Sequence, residues 1–291
     1  MRPKRILCLL LCLLMTFAHA VAEKEPDPKT ATYLNLAGRR LTFRDVKTLL
    51  AEYPNLQKVN MFDMPLTGSQ ADELAALFPQ IEFGWTLKIG TDHLVRTDAT
   101  AFSTLHRSGD IGHSAKALSV LRYCKKLKAL DIGHNHVDDI SWLTELPDLR
   151  VLIIAINRIT DLTPLASLPR LEYLELFSNR ITDLSPLSGL TRLMDLNICY
   201  NRISDFSPLY EMTWLKRLWI GRAANRGNPG VPQEVIDTLK AKLSATAIDY
   251  RSEPTLGGWR EHPHYDVIHE MFSGIYYIPF SDSFPDDGAL P

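Results

Sequence analysis

The sequence lacks the short motifs by which common catalytic sites are recognised. H-E-x-x-H, G-x-S-x-G, a P-loop and the dinucleotide glycine fingerprint are all absent from its 291 residues. It also lacks an excess of positive charge, because 32 lysine and arginine residues stand against 34 aspartate and glutamate residues. Nucleic-acid-binding domains are usually basic. We therefore expect a protein that is not an enzyme, holds no cofactor or metal, and binds no nucleic acid.

Apolar segments long enough to cross a membrane are also missing. Arg2, Lys4 and Arg5 precede a twelve-residue apolar run, 6–17, and small residues follow this run up to Ala22. This order is typical of a secretory signal peptide, and twelve residues are too few to span about 30 Å of hydrocarbon. We therefore predict a signal peptide at 1–22 and a secreted, extracellular mature chain without a membrane span.

The central part of the chain repeats every 22 residues. Four segments follow one another without a gap from Leu127, beginning LKALDIGHN, LRVLIIAIN, LEYLELFSN and LMDLNICYN, and each fits L-x-x-L-x-L-x-x-N-x-I/V. Alternating apolar residues predict short parallel strands with one buried face, and the asparagine after each strand is suited to bond backbone groups where the chain turns. The pattern predicts an α/β leucine-rich-repeat solenoid, with a curved parallel β-sheet on its concave face and short 3-10/α turns on its convex face.

Less regular segments flank the regular 22-residue leucine-rich repeats at 127–222. Residues 23–126 contain longer, irregular repeats, in which capping boxes at Thr42 and Thr67 predict two helices. An irregular or doubled coil is expected over 81–126. Residues 223–250 are predicted to form a terminal repeat or cap, with a helix over 232–243 and a strand over 247–250. Residues 251–291 are predicted to supply a helix that caps the last coil, followed by an acidic tail.

The repeats resemble those of the bacterial internalins, which share the 22-residue unit and the phrase N-R-I-T-D-L-x-P-L. Residues 127–222 carry this resemblance, while the segment GGWREHPHYDVIHEMF resembles the tails of secreted leucine-rich-repeat proteins of Gram-positive bacteria. Internalins bind host receptors with the concave face. The resemblance therefore implies a secreted protein-binding module that acts in adhesion or host interaction.

The candidate ligand-binding site lies on the concave face, between the ladder leucines of the last regular coils. Aromatic residues and arginine are common anchors of protein interfaces, and aromatic side chains on an open surface usually have a reason. Two alternatives remain open: residues of the tail or loops cover these side chains within the monomer, or the site holds a sugar ring. The predicted site residues are Tyr173, Glu175, Phe177, Asp195, Asn197, Tyr200, Arg217 and Trp219.

Two further groups of polar residues invite functional interpretations. Arg158, Arg180 and Arg202 recur beside Asp161, Asp183 and Asp205, and mutual neutralisation along the rim is favoured over an anion-binding strip. The histidines at 262, 264 and 269 suggest a metal, but their spacing matches no recognised ligand set. An enzyme that uses this histidine-rich tail is a third hypothesis, after the protein-binding and carbohydrate-binding ones.

Cysteine is scarce, with four residues in the chain, of which Cys8 and Cys12 lie in the predicted signal peptide. The repeat register places Cys124 and Cys199 four coils apart, about 19 Å along the solenoid axis. A disulfide requires Cα atoms within about 7 Å. We therefore predict two free thiols, of which Cys199 is expected to be the more exposed and the more reactive.

Overall fold

The structure is a computed structural model that describes residues 26–91, 93–105, 112–221, 230–250, 262–274, 276 and 277. The predicted signal peptide and most of the acidic tail lie outside these residues. Over the described part of the chain, no helix has the length and apolar character needed to cross a membrane.

The strands form two sheets along a series of stacked coils. β1 (Tyr33–Asn35), β2 (Lys58–Leu66), β3 (Glu82–Ile89) and β4 (His93–Arg96) form the first sheet, in that order. Seven strands form the second, parallel sheet in chain order, and successive strands from β6 to β10 pair in a 22-residue register. They are β5 (Ala101–Ser103), β6 (Ala129–Asp131), β7 (Val151–Ile153), β8 (Tyr173–Glu175), β9 (Asp195–Asn197), β10 (Arg217–Trp219) and β11 (Ala247–Asp249).

The predicted irregular coil is a β-hairpin that separates the two sheets. β3 pairs with β2 in parallel but with β4 in an antiparallel register, and Gly90 turns the chain between β3 and β4 with a positive φ of 61°. A left-handed turn of this kind suits glycine, which has no Cβ. Two strands, β4 and β5, follow within this region, where the 22-residue pattern that marks the other strands is missing.

Except for the C-terminal helix, the helices and 3-10 turns lie on the side of each coil away from the strand. The two predicted capping boxes are present: Thr42 precedes α1 (Phe43–Ala51) and Thr67 precedes α2 (Gly68–Leu77). The remaining helices are α3 (Ala115–Leu118), α4 (Gln233–Lys242) and α5 (Pro263–Ser273), and 3-10 turns cover Ser119–Tyr123, Ser141–Glu145, Thr163–Ser167, Ser185–Leu187 and Ser207–Leu209.

The asparagine ladder joins neighbouring coils through buried side-chain amides. The Asn179 amide nitrogen donates to the carbonyls of Leu176 in its own coil and Ile154 in the preceding coil, at 3.0 and 2.9 Å. Its amide oxygen accepts from the backbone N–H of Ile159 at 3.0 Å. Asn157 and Asn201 repeat this arrangement. Each asparagine therefore bonds three backbone groups at the turn, and the carbonyls of Ile154 and Leu176 each accept from the asparagines of two successive coils.

Replacing one rung of this ladder should destabilise the protein markedly. Asn179→Ala would leave the buried backbone N–H of Ile159 without its partner, which costs about 1–3 kcal/mol, whereas the two carbonyls would keep a bond from the asparagines of the neighbouring coils. We expect the free energy of unfolding to fall by about 1–3 kcal/mol, measured by chemical denaturation. The neighbouring exposed Arg180 provides the control, because Arg180→Ala should change stability by less than about 0.5 kcal/mol. Equal effects of the two substitutions would contradict this role of the asparagine.

The convex 3-10 turns are capped by aspartate side chains. The carboxylates of Asp161, Asp183 and Asp205 accept the backbone N–H two residues ahead, at 2.8–2.9 Å. Over the described residues, no ion pair joins these aspartates to Arg158, Arg180 or Arg202, so the prediction of mutual neutralisation was wrong. Asp161 and Asp205 instead hold the first turn of each 3-10 helix, and these hydrogen bonds lower the pKa of both carboxyl groups.

The C-terminal helix, α5, does not cap the end coil as predicted. Its closest sheet contacts are with β5 and β6, and its first turn bonds to Asp195 in β9. The helix therefore lies on the concave face. It runs from β9 towards β5, opposite to the order in which the coils follow one another in the chain. An 11-residue helix is about 16 Å long, which is close to the 19 Å or so that separates β5 from β9.

Candidate functional site

The concave face of the second sheet is covered. All twelve inward-facing side chains of β5 to β10 are buried, with at most 7% of their surface exposed. Six of the eight predicted site residues belong to this set: Tyr173, Glu175, Asp195, Asn197, Arg217 and Trp219. The structure thus matches the alternative in which a tail segment covers the concave aromatics within the monomer.

The local sequence explains why α5 forms and which face it buries. His262 is the N-cap, where its imidazole accepts from the backbone N–H of His264 at 3.2 Å, and Pro263 occupies the first turn. His264, Ile268 and Phe272 recur at four-residue steps and so share one helix face, and Met271 lies beside them. These four side chains are buried, whereas Asp266, His269, Glu270 and Ser273 on the other face are exposed.

The first turn of α5 docks on a buried ion pair. Arg217 donates to both carboxylate oxygens of Asp195, from Nε at 3.0 Å and from Nη2 at 2.9 Å. The His264 imidazole bonds to the same carboxylate through Nδ1 at 2.5 Å. Burial by itself would raise the pKa of Asp195, but the bond to His264 and the charge of Arg217 outweigh it and hold this pKa below its ordinary value.

The other end of α5 docks on an apolar surface of small residues. Ile268, Met271 and Phe272 pack in one cluster with Ala101, Ala129 and Val151, which leave room for large side chains. Beyond the helix, the Tyr277 backbone N–H donates to the Thr100 hydroxyl at 2.8 Å. Lys128 and Arg150 lie over the Tyr277 ring at 5.5 and 5.6 Å. Both ends of the helix are therefore fixed to the sheet by polar contacts.

The predicted site residues fall into a buried group and an accessible edge. The Tyr173 hydroxyl lies 3.4 Å from Glu175 Oε2, and the Asn197 amide oxygen accepts from the Cys199 N–H at 3.1 Å. Phe177 and Tyr200 are half-buried, and their rings pack edge to face with centroids 5.3 Å apart. These two aromatics mark the border of the surface that α5 covers.

A cavity of about 510 Å³ adjoins the first turn of α5. Arg217, Trp219 and His262 line it together with Lys240 of α4 and Tyr250 after β11. Burial, followed by the charges of Arg217 and His264, lowers the pKa of His262 to about 4. The imidazole is therefore neutral near pH 7 in the folded protein.

Acid should weaken the docking of α5 through His262. The pKa of His262 is about 4 in the fold and about 6.5 in an unfolded chain. The unfolded form therefore binds the proton first, so the contribution of His262 is complete above pH 6.5 and is lost as the pH falls towards 4. We expect chemical denaturation to show a steeper loss of stability from pH 6.5 to 4 in the parent than in His262→Gln. Parallel profiles would contradict this assignment.

The tail histidines do not converge on one point. His264 faces the sheet, His262 lines the cavity and His269 is exposed on the opposite helix face. Within the described ranges, no group of three or more histidine, cysteine, aspartate or glutamate side chains is arranged to hold a metal ion. The absence of catalytic activity stays a prediction.

Both cysteines of the described chain are free thiols, as predicted, but the expected exposure of Cys199 was wrong. Cys124 and Cys199 are fully buried. Cys199 packs in the concave cluster, where its sulfur lies against the backbone of Gly221. Burial raises the pKa of both thiols well above the ordinary value.

Thiol labelling should therefore report on the fold and not on one reactive cysteine. We expect iodoacetamide at neutral pH to modify neither Cys124 nor Cys199 in folded mature chain, and to modify both after unfolding without a reductant. Mass spectrometry measures the number of adducts. Rapid labelling of Cys199 alone in the native protein would show that α5 leaves the concave face open.

The ion pair beneath α5 was not recognised from the sequence. Asp195 and Arg217 were both assigned to the ligand site, although they occupy the same column 22 residues apart, where opposite charges on paired strands meet. The contact with His264 spans 69 residues. The only available signal was the four-residue spacing from His264 to Ile268 on a helix with an apolar face.

Comparison with known proteins supports the repeat assignment. The family model for leucine-rich repeats (2 copies) matches residues 125–167, 147–189 and 169–211. A comparison with curated proteins gave no match. The match spans residues 125–211 and supports the leucine-rich-repeat fold of this part of the chain.

Similar solved structures include two internalins of Listeria monocytogenes. Internalin C2 is 23% identical, with 69% of this chain and 83% of that chain covered and a TM-score of 0.42. Internalin F is 24% identical, with 70% and 64% covered and a TM-score of 0.45. The leucine-rich-repeat ectodomain of the receptor kinase SOBIR1 from Arabidopsis thaliana is 20% identical, with 48% and 74% covered and a TM-score of 0.36.

Proposed function

We propose that this protein is a secreted binding module that recognises a protein partner through the concave face, in adhesion or host interaction. The observation that carries the proposal is that this face already holds a protein segment. It buries one face of α5 through an apolar cluster at one end and a hydrogen-bonded charge cluster at the other. An apolar centre with a few specific polar contacts is the usual composition of a protein interface.

The residues proposed to contact the partner are the predicted set. Phe177 and Tyr200, at the accessible edge, make the first contacts, and Tyr173 and Trp219 provide apolar area further in. Asp195 and Arg217 provide the charges, while Glu175 and Asn197 offer hydrogen-bonding groups beside them. The carbohydrate-binding alternative and the histidine-rich enzyme are outcomes of the test below.

The test passes host extracts and a glycan array over immobilised mature chain, 23–291, and over two variants. We expect a retained protein whose binding is about 30-fold weaker in Phe177→Ala/Tyr200→Ala, the loss typical of an interface anchor. The control variant Arg158→Ala/Arg180→Ala, on the exposed rim, should bind like the parent. Equal retention by all three forms would place the site elsewhere. Retention of a glycan alone would favour the carbohydrate reading, and metal-dependent turnover would favour the enzyme.

A further inference from the structure

We infer that the partner presents an amphipathic helix, and that α5 occupies the partner's place on the concave face as an intramolecular competitor. The inference rests on the proposed function and specifies its ligand. The groove that α5 fills, from β5 to β10, is here called the helix groove. The side chains that line the helix groove define the kind of ligand that it can bind.

The helix groove changes in character along the solenoid axis. At the β5 end the inward column consists of Ala101 and Ala129, which accept bulky side chains, and Val151 continues this apolar surface. At the β10 end the same column carries Asp195 and Arg217, which are polar and buried. A ligand that fits both ends must therefore combine apolar bulk with a hydrogen-bonding side chain, separated by the length of a short helix.

α5 shows which spacing satisfies this groove. A bonding side chain at position i contacts Asp195, and large apolar side chains at i+4, i+7 and i+8 fill the small-residue end, as His264, Ile268, Met271 and Phe272 do. This is the spacing by which an amphipathic helix lies in a groove of another protein. The expected partner segment is thus a helix of about eleven residues with a histidine or another donor in its first turn.

The attachment of α5 is compatible with its release. The helix contributes no strand to either sheet, and its exposed face carries Asp266, His269 and Glu270. Eleven residues, 251–261, join Tyr250 to His262, and these two residues line the same cavity. Eleven residues can span at most about 36 Å when fully extended. Release of α5 would leave every strand pairing of the sheet intact.

A helix that is tethered beside the helix groove lowers the apparent affinity of the groove for a separate helix. The parent binds an external helix only in the fraction of molecules whose own helix is undocked. Weakening α5 without changing the groove should therefore increase binding of the external helix. A residue that acted only in folding would not produce this gain.

The probe is a fluorescent synthetic peptide with the sequence of residues 259–277, titrated into full-length mature chain. Ile268→Asp places a charge in the buried face of α5, while His269→Asp adds a charge at the adjacent exposed position. We expect Ile268→Asp to bind the peptide at least about 10-fold more tightly than the parent. His269→Asp should match the parent, and a peptide that carries the Phe272→Asp change should not bind to any of them.

Several outcomes would overturn the inference. A folded Ile268→Asp chain that binds the peptide no better than the parent would show that the groove does not recognise a separate helix. A dimer of the parent that Ile268→Asp abolishes would assign the groove to a second copy of this chain. If Ile268→Asp fails to fold, Ile268→Ala takes its place. We expect Ile268→Ala to bind the peptide about 3-fold more tightly than the parent, and an unchanged affinity would contradict the inference. Retention of a partner that the peptide does not compete for would leave the proposed function standing and reject the helical ligand.

Discussion

Asp195→Ala should lower the free energy of unfolding by about 3–5 kcal/mol, the usual cost of removing one member of a buried ion pair. The carboxylate is fully buried and holds Arg217 through two hydrogen bonds and His264 through a third. Its removal would leave the guanidinium buried without its counter-ion. Chemical denaturation at pH 7 measures the loss.

Two further variants separate this effect from the loss of a surface charge. Glu211→Ala removes the exposed ion pair with Lys242 and should cost less than about 1 kcal/mol. Adding Arg217→Leu to Asp195→Ala should recover much of the lost stability, because no buried charge then remains unpaired. A double variant as unstable as the sum of the single ones would contradict the pairing.

Phe272→Ala is expected to have the second large effect. The ring is almost completely buried in the concave cluster, where truncation of a phenylalanine costs about 3–5 kcal/mol. The measured loss cannot exceed the free energy with which α5 docks, because beyond that limit the helix leaves the sheet. Tyr276→Ala is the matched control, since Tyr276 is 68% exposed and should contribute less than about 0.5 kcal/mol.

Thermal unfolding and thiol labelling should both be measured for Phe272→Ala. Together they distinguish undocking of the helix from a general loss of stability. If the helix undocks, Cys199 should become reactive while Cys124, on the far side of the coils, remains protected. Destabilisation with both thiols still protected would mean that Phe272 supports the fold and not the coverage of the concave face.

The repeat region was predictable because every rule that governs it is local. The leucine positions, the asparagine after each strand and the 22-residue register all occur within one coil and recur in the next. Features that depend on a neighbouring coil or on a single insertion were not predicted. The β3–β4 hairpin interrupts the pattern once, and the capping of the 3-10 turns by Asp161 and its equivalents was not predicted because a hydroxyl residue, such as Thr163, also stands at the start of each turn.

The candidate site was only partly predictable from the sequence. The 22-residue spacing of the repeats placed Tyr173, Asp195 and Trp219 on the concave face, but it left open whether a segment of the same chain covers them. A helix within 251–291 was also predicted, but the choice between the end coil and the concave face depends on the contact of His264 with Asp195. No local pattern records a contact between residues so far apart in the chain.

Amide hydrogen exchange of the parent chain tests the central claim most directly, because it reports whether α5 covers the concave face as a separately releasable unit. The account predicts that the amides of 267–273 are protected, and that they exchange through an opening in which β8 and β9 remain protected. Exchange of these amides at the rate of unstructured chain would show that the helix does not dock. Exchange only together with β8 and β9, in global unfolding, would show that the helix is a permanent part of the core and that the concave face is not a partner's site.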